Sequence, residues 1–254
     1  MPNITLPSGD LYYEAAGQGP PLLLLHGFTD SGRDLERVAA PLRPDWRVIL
    51  PDMPGYGRSA PRTYTPDFYA QDAATMWALL DALDVPAAHL GGFSDGSEVA
   101  LLMAIQRPTA ARAVVAWGIA GALDANALPE VDEIGALIDT PPPQRVAWRD
   151  GLLARYGAER ARAMTQGWAA ATRALIAGGG DVSLSHAHEV QCPVLIINGA
   201  DDAVNPPAAV AALAARIPHC ETIIVPATGH AVHDLHPAWF SRTIGDWLAR
   251  TREA

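Results

Sequence analysis

Lysine is absent from this chain of 254 residues, since all 18 basic side chains are arginine. Chemistry that begins at a lysine amine is excluded: Schiff-base aldol cleavage, pyridoxal-phosphate catalysis and phosphate loops built on a lysine. Cysteine is scarce too. Cys192 and Cys220 are the two present; each flanks an apolar run and reads as a packed thiol, not as half of a disulfide or a metal ligand. Positive charge is short, with 28 acidic against 18 basic residues and a net charge of -10. Such a field repels nucleic acid and anionic membrane surfaces. No apolar run reaches the ~18 residues a membrane helix needs. The opening Met1-Pro2-Asn3-Ile4-Thr5-Leu6 lacks a basic segment followed by an apolar stretch. The expectation is a soluble, cytoplasmic protein with neither a nucleic-acid nor a membrane partner. An apolar content of 49% with 18% charged residues suits one large buried core.

Short apolar runs at Leu22–Leu25, Val48–Leu50, Ala87–Leu90, Val114–Trp117, Val194–Ile197 and Thr222–Val225 are bounded by proline, glycine or charged residues and suit buried parallel strands. Helical spacing fills Ser31–Leu42, Pro66–Leu83, Asp95–Arg107, Pro207–Arg216 and His236–Thr251. The alternation predicts an α/β fold with a mostly parallel, doubly covered sheet. Thr5 and Leu11–Glu14, on either side of Ser8-Gly9, predict an opening hairpin at its edge. From residue 122 to 190 the alternation stops, and alanine-rich helical stretches surround Pro141-Pro142-Pro143 and a hinge-like Gly178-Gly179-Gly180 run. The expected organisation is a core of residues 1–121 and 191–254 carrying a helical lid at 122–190. Trp148 and Trp168 in that segment are candidates to line a pocket, although helix-spaced aromatics also serve as plain core.

The chemistry centres on Gly92-Phe93-Ser94-Asp95-Gly96, a Gly-x-Ser-x-Gly between a strand and a helix, where a sharp turn projects the serine hydroxyl. A Cβ at either glycine would crowd so tight a turn. Serine is a weak nucleophile at neutral pH and needs a base, and the base needs a group to fix its tautomer. Both types of residue follow at strand ends: Asp201-Asp202 after the penultimate strand and His230 in Gly229-His230 after the last. The pair His186 and His188 has no acidic or cysteine cluster beyond Glu189 and reads as a solvated loop; no metal and no cofactor are expected.

The order Ser, Asp, His, together with Leu25-His26-Gly27-Phe28 and Asp52-Met53-Pro54-Gly55-Tyr56-Gly57-Arg58-Ser59, resembles the α/β-hydrolase superfamily along almost the whole chain. The resemblance implies a catalytic triad of Ser94, Asp202 and His230. The family's Gly-x-x-Asp picks Asp202, three residues beyond Gly199, over Asp201. It also implies an oxyanion hole made by the backbone N–H groups of Phe28 and Asp95, with Gly27 allowing the loop to approach closely. Ser94-Asp95-Gly96, Trp117-Gly118 and Val190-Gln191-Cys192-Pro193 look like segments of the valacyclovir hydrolase-like (biphenyl hydrolase-like) branch. That branch cleaves α-amino acid esters, and its aspartate after the serine recognises the α-amino group. Asp95 is thereby a candidate substrate-binding residue beside Trp117, Trp148 and Trp168. Read alone, Asp95 also fits a first-turn acid favoured by the helix dipole.

These residues predict a serine hydrolase that cleaves a small carboxylic ester through an acyl-enzyme. A serine at the elbow, where the relatives that use a carboxylate nucleophile carry aspartate, argues against haloalkane dehalogenase and epoxide hydrolase chemistry. The same triad serves lactonases, amidases and carbon–carbon bond hydrolases, and a ligand-binding receptor on a hydrolase scaffold is a further alternative.

Overall fold

The computed structural model describes residues 3–252; Met1 and Pro2 of the opening segment lie outside them. Eight strands form one sheet: β1 (Asn3–Leu6), β2 (Gly9–Ala16), β3 (Pro21–Leu25), β4 (Arg47–Pro51), β5 (Ala88–Phe93), β6 (Ala111–Trp117), β7 (Val194–Gly199) and β8 (Cys220–Val225). Their spatial order is β1-β2-β4-β3-β5-β6-β7-β8. β1 and β2 are the expected edge hairpin, with Leu6 opposite Gly9, and every pair from β4 to β8 is parallel. The helices are α1 (Glu36–Ala39), α2 (Phe68–Ala82), α3 (Asp95–Gln106), α4 (Leu128–Ala136), α5 (Val146–Ala177), α6 (Pro207–Ala214), α7 (Val232–Leu235) and α8 (Pro237–Arg250). None of them is long and apolar enough to cross a membrane.

The central runs are apolar throughout because both faces of the sheet are covered. Leu23, Leu25, Leu90, Val114 and Ile196 pack with Met76, Leu80, Val99 and Met103 of α2 and α3 on one face. Leu22, Leu24, Val115, Trp117 and Ile197 pack with Val38, Phe240, Ile244 and Trp247 of α1 and α8 on the other. The period of two along each strand thus distributes alternate residues between two cores.

Ser31–Leu42 departs from the predicted helix. Only Glu36–Ala39 is α-helical, flanked by tighter 3₁₀ turns at Gly32–Leu35 and Ala40–Leu42. Pro41 has no N–H to continue an α-helical ladder, and the Gly32 N–H is drawn to Asp52 Oδ1 at 2.9 Å.

Between β6 and β7 the chain contributes no strand to the sheet and instead builds α4 and α5, the latter broken at Gly157. The two ends of this segment meet in a narrow neck. Leu123 N–H donates to Gly180 O at 2.8 Å, Val182 N–H donates to Gly121 O at 3.0 Å, and Ala122 bridges Asp181. The glycine run expected to behave as a hinge is therefore tied at both sides: Gly180 N–H closes the end of α5 on Leu175 O at 2.9 Å.

Candidate active site

Ser94 stands at the turn from β5 into α3 with φ 52° and ψ -119°, a conformation that costs a non-glycine residue strain. Its neighbours explain why the turn holds. A Cβ on Gly92 would run into Gly96 O, and one on Gly96 would lie 2.5 Å from the carbonyl oxygens of Leu25 and His26. Ser94 N–H donates to Trp117 O at 2.9 Å, which locks the elbow onto the end of β6.

The hydroxyl, imidazole and carboxylate form one line. Ser94 Oγ lies 3.1 Å from His230 Nε2, and His230 Nδ1 lies 2.9 Å from Asp202 Oδ2. A carboxylate only accepts, so Nδ1 carries the proton and Nε2 is left to accept from the serine. Asp202 is fixed by its other oxygen, which takes the N–H groups of Val204 and Asn205, each at 2.9 Å. Asn205 Nδ2 then donates to Gly118 O at 2.8 Å and ties the acid loop to β6. Asp201, the alternative acid, is exposed.

The loop after β3 approaches Ser94 from the other side. His26 is fully buried, donates from Nδ1 to Gly27 O at 2.8 Å and accepts the Met53 N–H on Nε2 at 2.9 Å. Burial holds this ring below the usual histidine range and hence neutral, as a bridge between the β3 and β4 loops. Gly27 lies against Phe93 and Ser94. Among the described residues, the N–H groups of Phe28 and Asp95 donate to no acceptor in the chain. Two main-chain donors thus remain available beside the serine.

A cavity of about 360 Å³ opens above Ser94 and His230, walled by Phe28, Phe93, Trp148 and Trp168 and roofed by α4 and α5. Trp148 and Trp168 therefore reach the cavity, each with its indole N–H engaged: Trp148 on Thr29 Oγ1 at 3.1 Å and Trp168 on Asp95 Oδ2 at 2.9 Å. Asp95 lines the same cavity, and its other oxygen accepts the Tyr69 hydroxyl at 2.7 Å. Burial raises its pKa, partly offset by these two donors.

Trp117 requires a correction. The expectation that it binds substrate fails on position: it is fully buried on the α8 side of the sheet and does not line the cavity. Its indole N–H donates to His233 Nδ1 at 3.1 Å and its ring packs on Phe240, beneath the His230 loop. The residue side of β6 is fixed by strand alternation, which a terminal aromatic in the sequence does not reveal.

Tyr69, Asn205 and Glu98 escaped the sequence reading although all three line the cavity. Glu98 left a legible signal, an acid three residues after Asp95 at the head of the apolar Val99-Ala100-Leu101-Leu102-Met103 run. Cys192 and Cys220 are free thiols, and His186 is an exposed residue paired with Glu189 at 2.7 Å. Among the described residues no group of three or more histidine, cysteine, aspartate or glutamate side chains is arranged to hold a metal.

Comparisons with known proteins agree with this architecture. The alpha/beta hydrolase fold family matches residues 20–155. The 2-hydroxymuconate semialdehyde hydrolase of Pseudomonas sp. (strain CF600) is 30% identical over 258 residues, covering 94% of this chain and 90% of the relative. Serine hydrolase BPHL of Homo sapiens is 30% identical over 209 residues, covering 77% of this chain and 68% of the relative. The pimeloyl-[acyl-carrier protein] methyl ester esterase of Chromobacterium violaceum is 28% identical, covering 94% of this chain and 98% of the relative. Among solved structures, a hydrolase from Pseudomonas aeruginosa PA01 superposes with a TM-score of 0.78 at 24% identity over 97% of both chains.

Proposed function

Since this chain belongs to the α/β-hydrolase family and is a hydrolase related to the BPHL branch, we propose that it is a serine esterase in which Ser94, His230 and Asp202 are the triad. The observation that carries the proposal is the line of two hydrogen bonds, 3.1 and 2.9 Å, that joins three side chains from three separate loops. Esterases among the relatives support the ester as the bond cleaved.

Ser94 Oγ attacks the ester carbonyl carbon while His230 Nε2 takes the hydroxyl proton, and Asp202 steadies the resulting imidazolium through Nδ1. The carbonyl oxygen becomes an oxyanion received by the N–H groups of Phe28 and Asp95, each such donor contributing about 2.7–4 kcal/mol to the barrier reduction. Collapse breaks the ester C–O bond, and His230 returns the proton to the departing alcohol. Water then attacks the acyl-enzyme by the same route, releasing the acid and restoring Ser94. Residues 122–190 serve as the lid that holds the acyl group over the triad. The reaction needs neither metal nor cofactor, and its partner is the small-molecule ester alone.

The acyl group we infer is an α-aminoacyl one. Asp95 offers a buried carboxylate at the cavity wall, and its two partners are neutral donors, so an ammonium is the group that would answer its charge. A carbon–carbon bond hydrolase reading has the 2-hydroxymuconate semialdehyde hydrolase relative behind it. A substrate bearing a carboxylate, however, would meet Asp95 in a cavity whose lining contains no arginine, which favours the ester reading.

The test is a turnover screen over neutral esters, amino acid esters and lactones, with the Ser94→Ala protein as blank. The esterase reading expects multiple turnover lost in Ser94→Ala. Unchanged turnover in that variant overturns it, and stoichiometric binding without turnover would favour a receptor. Asp95→Ala should reduce kcat/KM for amino acid esters far more than for uncharged esters of similar size; equal losses remove the amine assignment.

A further inference from the structure

α3 presents two buried carboxylates to the cavity, Asp95 and Glu98. Three residues apart on a helix, they share a face, with Cβ atoms about 5–6 Å from each other. Glu98 Oε1 accepts the Gly121 N–H and Oε2 the Ser183 hydroxyl, both at 2.7 Å. These donors come from the two sides of the neck below the helical segment, and they are neutral, as are the Tyr69 and Trp168 donors to Asp95. Among the described residues neither carboxylate is ion-paired with an arginine. Other acids of the same cavity differ: Glu130 is paired with Arg145 at 2.9 Å, and Asp124 is exposed to solvent. Arg62, the arginine whose charge reaches Asp95, is already committed to Asp72.

A second observation comes from α5 in the roof. Thr172 of α5 lines the cavity, is fully buried, and its hydroxyl has no hydrogen-bond partner. A buried hydroxyl is normally satisfied, and this one can accept an N–H that enters the cavity. Val131, Ile134 and Val182 line the same cavity and offer apolar wall suited to a methylene stem.

We propose that Glu98 and Thr172 form a second polar subsite that takes an ammonium group at the end of the acyl side chain, so that this cavity selects esters of diamino acids. The inference rests on the ester-hydrolase reading with the α-ammonium at Asp95. A side-chain ammonium brings three donors: one or two go to Glu98, whose oxygens retain lone pairs after Gly121 and Ser183, and one goes to Thr172. The two positive charges of such a substrate then match the two buried carboxylates that the chain leaves without a counterion. Screening is weak inside the cavity, so the match discriminates strongly against a neutral side chain of the same length. Burial together with the Asp95 charge pushes Glu98 up to about 7, in keeping with a carboxylate that waits for a cation.

The experiment compares kcat/KM for the methyl esters of lysine, ornithine, norleucine and 6-hydroxynorleucine, with p-nitrophenyl butyrate as the uncharged reference. Lysine or ornithine ester is expected to exceed norleucine ester by about tenfold or more, with the ratio falling close to one in Glu98→Gln and several-fold in Thr172→Val. Calorimetry on Ser94→Ala supplies a readout independent of turnover: lysinamide should bind more tightly than norleucinamide by a similar factor. If Glu98→Gln does not fold, the ratios of the unaltered protein and the calorimetry still decide. Norleucine ester cleaved as well as lysine and ornithine esters overturns the subsite and leaves the esterase intact. Hydroxynorleucine matching lysine overturns the ammonium assignment. Cleavage of p-nitrophenyl butyrate with no aminoacyl ester cleaved removes amine recognition at Asp95, and the subsite with it. No ester cleaved at all overturns the esterase reading itself.

Discussion

Gly118 faces His230 so closely that a Cβ at position 118 would lie 2.8 Å from the imidazole Cε1 and 3.1 Å from Nδ1. The residue directly follows β6, has φ +68°, and gives its carbonyl to Asn205, so the proposed base, the Asp202 loop and the strand end meet at one backbone position. A side chain there must push the imidazole away from Ser94 or Asp202.

Gly118→Ala is therefore expected to lower kcat for any ester by about 10²-fold, the scale of a 1 Å misplacement of a catalytic group. The left-handed backbone adds a stability loss of about 1–2 kcal/mol. Steady-state kinetics beside urea unfolding would separate the two effects. Full activity in a folded variant would mean that His230 has slack which the packing does not suggest.

Asp202→Asn should be more damaging still. Its oxygen would keep the N–H groups of Val204 and Asn205, which turns the amide NH₂ toward His230 and forces the proton onto Nε2. The ring then donates to Ser94 where it should accept, and kcat is expected to fall by about 10⁴-fold with little change in folding. A loss under tenfold would show that Asp202 is not the residue orienting the base.

His233 carries a pH effect on stability. Buried under Phe93 and accepting the Trp117 indole N–H, its pKa is lowered by desolvation to about 4, against an ordinary value of 6.5. The unfolded chain therefore takes up a proton there before the folded one does. Its contribution is present above pH 6.5 and is lost as pH falls toward 4, by about 3 kcal/mol in total. Urea unfolding at a series of pH values should show a shallower acid loss in His233→Gln than in the unaltered protein. Parallel curves would place the proton uptake elsewhere.

Glu98 opposes that trend. Its folded pKa of about 7 lies above the ordinary carboxylate value of 4.5, so the folded state holds the proton more firmly. Its contribution is present below pH 4.5 and is lost as pH rises through 7. In Glu98→Gln the decline of stability between pH 5 and 7.5 should flatten, measured by the same unfolding series. A decline unchanged in that variant would point to another buried acid, such as Asp72, whose pKa is also raised to about 7.

Much of the site was legible from the chain because each part sits in a short, locally strained or locally bonded segment. The elbow at Ser94 needs glycines at 92 and 96 whatever surrounds it, and Asp202 is held by the N–H groups of residues only two and three further on. The apolar runs of β3 to β7 gave the strands for the same reason, since a strand covered on both faces has no polar side to write. By contrast β8, expected as a buried strand from its Thr222–Val225 run, is a partly exposed edge. The helix at Ser31–Leu42 was overdrawn because apolar spacing there persists through Pro41, which the backbone does not tolerate as α-helix.

What the sequence determined by itself is the fold and where along it the three groups proposed as the triad fall, because local backbone geometry and the order of strands restrict both. The tertiary structure alone decided the character of the cavity. Trp168 and Asp95 are 73 residues apart in the chain, as Glu98 and Ser183 are 85 apart, and no local pattern couples such pairs. Trp117 shows the same from the other direction: its place under the histidine loop follows from which face of β6 it occupies, and that is set by packing against α8 rather than by its neighbours in sequence.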